Sequence, residues 1–308
     1  MKQHDPFSPK LLMALLFDPT ELARYGGLTL VARRVVEGFL SGIHRSPFKG
    51  FSVEFAEHRQ YYPGDEIRHI DWKLWAKTDR YYIKEYEEET NLKAFLVVDA
   101  SGSMKYRGKQ KLSKFEYAQQ VAASMAYLML HQLDAVGLIT HDTKVNQVSP
   151  AKTSSKHLLM LLRTLEATKP GGETALAPVW HELAGHYLKR RGMVIILSDC
   201  FDDAETLGRA LQHLRYKNHE VLLFHILAPE EVDFPFQNPT KFRNLERGEH
   251  EITTDARRLR EEYLKNFEEY RQKLRRRCDD LRVDYVMLRT DEPVDRALGV
   301  YLARRTLR

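Results

Sequence analysis

The stretch Phe95-Leu-Val-Val-Asp99-Ala-Ser101-Gly-Ser103-Met104 constrains the fold more than any other part of the chain. Residues 94–98 are apolar, β-branched and aromatic, and read as a buried strand. Asp99 then stands at the carboxyl end of that strand, where open α/β sheets place their binding crevices. One carboxylate and two hydroxyls on a single tight loop are hard oxygen ligands, suited to Mg²⁺ or Mn²⁺ and not to Zn²⁺. Such a set leaves coordination positions free for water or for a carboxylate from another molecule.

Two later segments fit the same site. Gly171-Gly172-Glu173-Thr174-Ala175-Leu176 is a glycine-rich loop opening a helical pattern, and it offers a third hydroxyl. Met193-Val-Ile-Ile-Leu197-Ser198-Asp199 is a second buried strand ending in Ser-Asp. Taken together, Asp99, Ser101, Ser103, Thr174 and Asp199 resemble the metal-ion-dependent adhesion site of von Willebrand factor A domains. In those domains an Asp-x-Ser-x-Ser loop, a threonine and a distal aspartate hold one divalent ion directly or through water. Helix capping by Ser or Asp accounts for each piece alone. It does not account for hydroxyls on three ordered loops.

Composition narrows the class. A chain of 308 residues with 43% hydrophobic and 30% charged content has the makeup of a soluble globular protein with room for one large domain and a smaller one. A net charge of +5 is small beside 48 basic and 43 acidic side chains, and argues weakly for nucleic acid. Cys200 and Cys278 are the only cysteines, which leaves neither a disulfide framework nor a thiolate metal site and suits a reducing compartment. The apolar stretch 11–17 is surrounded by acidic residues and prolines, with no small-residue cleavage site after it. No apolar run approaches the roughly 20 residues of a membrane span. The expectation is a cytoplasmic protein without an integral membrane segment.

The pattern along the chain divides it into 1–45, N-terminal helices with Leu28, Val31, Val35 and Phe39 at helical spacing; 46–92, a small β-rich unit; and 93–308, an alternation of strands and helices. In the middle unit Phe51, Val53 and Phe55 alternate with polar residues, Tyr62-Pro63-Gly64-Asp65 carries a type II turn signal, and 81–85 returns as a strand. The last unit predicts strands at 94–99, 135–141, 144–149, 193–198, 220–227 and 283–289. It predicts helices at 114–132, 154–167, 175–188, 203–217, 255–282 and 293–306, with 234–254 a loop or β-ribbon. Asp202 and Glu205 have capping-box spacing before the fourth of these helices. The fold class is α/β, a Rossmann-like, mainly parallel sheet flanked by helices.

The stretch from His44 to Met104 closely resembles a family of bacterial and archaeal proteins called domain of unknown function 58. The matching residues are His44-Arg45-Ser46, Gly50, Glu54-Phe55, Arg59-Gln-Tyr61, Gly64-Asp65, Arg68-His-Ile70-Asp71-Trp72, Ala76-Lys77, Lys84, Glu89 and Asp99-Ala-Ser-Gly-Ser103-Met104. The resemblance implies a von Willebrand factor A-like domain, often encoded beside a MoxR-type AAA+ ATPase. It further implies work as an adaptor in protein assembly or maturation. Glu173 stands between the glycine pair and Thr174, where family members often place the threonine directly, and the transmembrane helices of many members are absent from this sequence. Arg59, Asp65, Arg68 and Asp71 read as a polar cluster with Trp72 and Trp75 as apolar packing; the competing reading is a partner-docking surface.

Several chemistries fail on particular residues. An aspartyl phosphatase needs a second carboxylate two residues after the first, and Ser101 is there instead. A phosphate-binding P-loop is a near miss, with Gly102 and Gly108-Lys109 one residue too far apart and Gln110 where the Mg²⁺-binding hydroxyl belongs. The serine hydrolase pattern lacks its first glycine at Ala100-Ser101-Gly102. Helix 255–282 is rich in arginine, but its acidic residues are interleaved and Leu259, Tyr263, Phe267, Tyr270, Leu274, Cys278 and Leu281 form an apolar stripe. It reads as an amphipathic core helix in preference to a nucleic-acid surface. His131 and His141 read as ordinary packing or surface residues, and Cys200 as a small buried residue beneath the site.

The expectation is therefore a non-enzymatic adaptor. One Mg²⁺ or Mn²⁺ at Asp99, Ser101, Ser103, Thr174 and Asp199 would capture an acidic side chain of a client or partner, with Lys105, Arg107 and Lys109 steering the acidic surface. The alternatives are a structural metal site with partners bound elsewhere and, behind it, a nucleic-acid-binding protein.

Overall fold

The computed structural model describes residues 27–43, 58–60, 81–84, 92–246 and 251–306. Two compact units emerge, one of residues 1–41 together with 92–308 and one of residues 42–91. Of the smaller unit the described part is an antiparallel pair, β1 (His58–Gln60) with β2 (Tyr82–Lys84), in which Arg59 faces Ile83. The expected strand 51–55, the turn at 62–65 and the cluster built on Asp65, Arg68 and Asp71 lie outside the described residues.

The larger unit is built on a six-stranded sheet. Its strands are β3 (Lys93–Asp99), β4 (Ala135–His141), β5 (Val145–Lys152), β6 (Met193–Ser198), β7 (Glu220–Leu227) and β10 (Asp284–Arg289). Their spatial order is β10-β7-β6-β3-β4-β5, and every pair is parallel except β4 with β5. The first strand of this sheet lies beside the fourth, so the winding reverses direction between β3 and β6. Such a switch point leaves a crevice at the carboxyl ends of the two strands.

The central strands are buried on both faces, which explains their unbroken apolar runs. Val97, Ile139, Ile196 and Leu223 point into one layer, packed by α4 (Leu176–Glu182), α5 (Ala204–Tyr216) and α7 (Ala256–Asp280). The opposite layer holds α2 (Lys114–His131), α3 (Ser155–Ala167), α1 (Gly27–Ile43) and α8 (Asp295–Thr306). α2 carries its inward residues Phe115, Ala118, Ala122, Met125 and Met129 as expected, yet it is buried nearly all round because α3 and α8 also lie against it. α1 caps its first turn on α3, where Glu166 accepts the Leu28 N–H at 3.1 Å.

Several boundaries differ from expectation for local reasons. The stripe of α1 is centred on Thr29, Ala32 and Val36, one position beyond the expected one, with Leu28, Val31 and Val35 half-buried at its edge. α5 is capped by Asp203, whose carboxylate accepts the Thr206 N–H at 2.9 Å, while Asp202 turns to the Ala177 N–H. α4 ends at Glu182 and loosens into a wide turn over Leu183–Tyr187. The segment after β7 makes a short helix, α6 (Pro229–Asp233), which the sequence reading does not contain. An antiparallel ribbon of β8 (Pro239–Arg243) and β9 (Glu251–Asp255) follows it. No helix among the described residues is long and apolar enough to cross a membrane.

Candidate functional site

Asp99 closes β3 at the switch point, and its side chain is fully buried. One carboxylate oxygen accepts the Ser101 N–H at 2.9 Å and the other accepts the Ser198 hydroxyl at 2.6 Å. The carboxylate thus ties the ends of β3 and β6 together. Burial, and then the charge of neighbouring Asp199, push its pKa up to about 7. Among the described residues no lysine or arginine pairs with it. A buried carboxylate without a counter-charge is costly unless a cation is supplied.

The loop after Asp99 turns through one turn of 3₁₀ helix, Gly102–Lys105, which brings the hydroxyls of Ser101 and Ser103 to 3.0 Å of each other. The Gly171-Gly172 loop docks on it: Gly102 N–H donates to Gly172 O at 3.0 Å, and Gly171 N–H to Ala100 O at 2.8 Å. Gly102 has no alternative here, since a Cβ would sit 2.6 Å from the Gly172 carbonyl oxygen and 2.9 Å from that of Leu245. Gly172 adopts a φ of +77°, a left-handed conformation that glycine takes without strain. This turn delivers Thr174, despite the intervening Glu173, to the rim that Gly102 occupies. The Thr174 hydroxyl donates to the carboxylate of Glu246 on the loop after β8.

Asp199 follows β6 and is also buried. One of its oxygens accepts from the Lys114 ammonium at 2.7 Å and the other from the Phe201 N–H at 3.3 Å. Lys114 also donates to Glu231 at 2.6 Å. Burial disfavours the ammonium, but two carboxylates overcome that, and the lysine pKa rises. For Asp199 burial again works against charge, and Lys114 with a Ser103 hydrogen bond reverses it, so its pKa falls. Lys114 is held at the first position of α2 by a capping box, in which Ser113 accepts the Glu116 N–H and Glu116 accepts the Ser113 N–H.

Behind Asp199 the backbone is strained: Cys200 has a φ of +54°, uncommon for a residue with a side chain. Its N–H bonds Ser198 Oγ at 3.0 Å and its carbonyl accepts the Tyr270 hydroxyl. Burial pushes the thiol pKa up, which fits the packing role expected of this cysteine. His225 donates from Nε2 to the Asp199 carbonyl at 2.9 Å and accepts at Nδ1 from Tyr285 at 2.7 Å. Burial lowers its pKa to about 4, so it is neutral. A cleft of about 480 Å³ opens beside these residues, lined by Asp199, Phe201, Tyr263, Phe267 and Tyr270.

The five residues singled out by sequence therefore lie on three loops at one end of the sheet. Asp99, Ser101 and Ser103 share one loop, Asp199 follows the neighbouring strand, and Thr174 sits on the loop docked against Gly102. Among the described residues no three His, Cys, Asp or Glu side chains converge as a metal-binding group. The donors at this site are mostly hydroxyls, and hard cations accept those. Asp99, Ser101, Ser103 and Thr174 fit such an ion, with the uncompensated Asp99 charge as the observation in its favour. Asp199 fits less freely, because Lys114 holds one of its oxygens. Of the three basic residues expected to steer a partner, Lys105 is exposed, Arg107 pairs with Glu116, and Lys109 is fastened through its backbone to Glu230.

Sequence reasoning missed Lys114 and Glu246, and read His141 as a packing or surface residue; it is buried. His141 lies beside Asp99 in register on β4, fully buried, its ring nitrogens without a well-formed hydrogen bond. Lys114 left one local trace, a lysine inside the Ser113-Lys114-Phe115-Glu116 cap, an unfavourable place for a cation unless something else holds it.

A doubly wound sheet whose switch point carries an Asp-x-Ser-x-Ser loop, a threonine loop and a Ser-Asp strand end is a von Willebrand factor A-like domain. The chain belongs to the family described as Protein of unknown function DUF58, whose model matches residues 57–273. It is 28% identical over 287 residues to an uncharacterized protein of Mycobacterium tuberculosis, covering 92% of this chain and 89% of that one. Among solved structures it is similar to the conserved hypothetical protein BatB from Bacteroides thetaiotaomicron, with a TM-score of 0.47, 17% identity, and 70% of this chain and 100% of that one covered. It is also similar to the SpRpn10 VWA domain, with a TM-score of 0.42, 14% identity, and 68% and 94% covered. The fold class rests on the strand order of the chain itself.

Proposed function

We propose that the chain is a non-enzymatic, metal-dependent protein-interaction adaptor. The observation that carries this reading is the buried Asp99 carboxylate at a sheet switch point, paired with no cation among the described residues and followed on its loop by the adjacent Ser101 and Ser103 hydroxyls, with Thr174 on the loop docked against them. A Mg²⁺ or Mn²⁺ ion held by these residues would offer an incoming acidic side chain a coordination position. Asp99 supplies the anionic charge, and the Ser198 and Ser101 bonds fix both of its oxygens in place. Ser101 and Ser103 face each other closely enough to share one ion. Lys114 keeps Asp199 ionised. No nucleophile-activating pair is formed in this set: the carboxylates are committed to hydrogen bonds, and the two histidines beside it, His141 and His225, are buried and neutral.

The partner class follows from family membership and not from the geometry. We infer a MoxR-type AAA+ ATPase and an acidic client, in protein-complex assembly or maturation. The test is a pull-down with such an ATPase from the same genome, with and without chelator, using wild-type and Asp99→Ala protein. Retention that falls with chelator and with the substitution supports the reading. Retention indifferent to both moves the interface away from the site.

A second reading draws on Lys114. An ammonium already bound to Asp199 makes part of the site a salt-bridge network, as a purely structural site would have. In that case Mn²⁺ stabilises the fold while partner binding ignores it.

A further inference from the structure

The metal reading leaves open which carboxylate meets the ion when no partner is present. We propose that Glu246, carried on the chain's own β8–β9 ribbon, is a metal ligand of this site and fills the position that a partner's acidic side chain would take. This rests on the metal reading above and adds to it a residue of the chain itself.

Three observations point to Glu246. Its carboxylate is the acceptor for the Thr174 hydroxyl, one of the candidate ligands. The backbone at 245–246 is pressed on the metal loop. A Cβ on Gly102, the residue between the two ligand serines, would lie 2.9 Å from Leu245 O and 3.2 Å from Glu246 Cα. Finally, no cation pairs with Glu246 among the described residues. Lys114, the ammonium bound to Asp199, is taken by that residue and Glu231, so Asp99 and Glu246 are the two carboxylates here that pair with no cation among the described residues. A divalent cation would serve as counter-charge to both, and an anionic oxygen is what a hard cation prefers.

The position of Glu246 is built and not incidental. Its N–H is held by Asn244 Oδ1 at 2.8 Å, which fixes the turn leading off β8. Arg243 pairs in register with Glu251 across the ribbon. Near the turn end, Phe242 stacks on Phe234, which in turn lies 4.5 Å from Tyr263 of α7, ring centre to ring centre. The turn end of the ribbon is therefore held by these rings and by Thr174. Its strands otherwise bury little: every second residue of β8 is exposed, and Ile252 on β9 is 67% exposed. A tethered carboxylate acts at an effective concentration on the order of millimolar, so an acidic partner has to outcompete it.

The experiment uses the full chain with Mn²⁺ as probe, in wild type, Glu246→Gln, Glu246→Ala and Asp99→Ala. Calorimetry gives the Mn²⁺ affinity, and water-proton relaxation reports how many water molecules the bound Mn²⁺ carries. Expected results are Mn²⁺ binding by wild type, none by Asp99→Ala, and binding weakened by about tenfold or more in both Glu246 variants, in the range seen when a supporting group is lost. The Mn²⁺ bound to the Glu246 variants should carry more water than in wild type. Acetate should reverse that gain in Glu246→Ala and leave wild type unchanged. If wild type and both Glu246 variants bind Mn²⁺ with equal affinity and equal relaxation, Glu246 is no ligand and the metal site stands without it. If wild type binds no Mn²⁺, the metal reading falls and this inference falls with it. Circular dichroism of each variant separates loss of the ligand from loss of the fold.

Discussion

Lys114→Met tests how the buried charges at the switch point are balanced. Methionine keeps most of the lysine stem but removes the ammonium, which leaves Asp199 and Glu231 without their donor. The Lys114 and Asp199 side chains are each 2% exposed, whereas Glu231 is 27% exposed. Water can therefore compensate much of the loss at Glu231 and almost none at Asp199. Removing one member of a buried ion pair costs about 3–5 kcal/mol, because the remaining charge has no partner. Against a total stability of roughly 5–15 kcal/mol, that is a large fraction. Denaturant unfolding in the presence of chelator, so that no metal stands in for the lysine, should show this deficit at pH 7. The pH dependence has a definite sign. Lys114 holds the Asp199 pKa down, so without it folded Asp199 binds a proton more readily than wild type, and the deficit should shrink as the pH falls from 7 toward 4. The pair Lys114→Met/Asp199→Asn, with no lone charge left at that position, should be more stable than Lys114→Met alone. A deficit under about 1 kcal/mol, the value of an exposed pair, or a double variant no better than the single one, would refute the reasoning.

Three further outcomes follow from the same site. His141 is buried and its pKa is lowered to about 4 by burial, against a weaker pull from the Asp142 backbone, so wild type binds fewer protons folded than unfolded between pH 6.5 and 4. It should lose stability over that window, and His141→Phe, measured against wild type by urea unfolding at several pH values, should gain relative stability as the pH falls; a parallel pair of curves contradicts this. Gly102→Ala should destabilise by about 1–3 kcal/mol, the range for overpacking, and weaken Mn²⁺ binding, because backbone oxygens on two sides meet the new Cβ; an unchanged unfolding midpoint would show that the two loops part easily. Purified protein should hydrolyse neither ATP nor phosphomonoesters, and turnover that survives purification but vanishes in Asp99→Asn would overturn the non-enzymatic reading.

What the sequence made legible was set by periodicity and order. β3, β6 and β7 are buried on both faces, so their apolar runs stand out, and the residues at the β3 and β6 ends needed only adjacency to be found. α2 showed its stripe but not its full burial, since alanines at 122, 123 and 126 look alike whether one helix or three lie against them. The ribbon of β8 and β9 gave weak alternation because so little of it is buried. α6 is five residues long, too short for any periodic signal. Asp202 and Asp203 both stand where a cap belongs, and the choice between them is made by Ala177, which lies on another element. Lys114 with Asp199 and Glu246 with Thr174 are pairings across long stretches of chain, and no local pattern carries them.

The way α2 is enclosed has a consequence for how the molecule is made. α2 follows the first strand of the sheet, yet part of its cover comes from α8, which follows the sixth. Ala297, Leu298 and Tyr301 of α8 are all buried. On the ribosome, then, the nascent chain carries an apolar helical flank that stays uncovered until every strand has been translated. Contacts of such long sequence separation form late and slowly. Partly synthesised chains of this kind are the ones that aggregate or recruit chaperones, and truncations that remove α8 should yield insoluble protein even though the switch-point residues are all present.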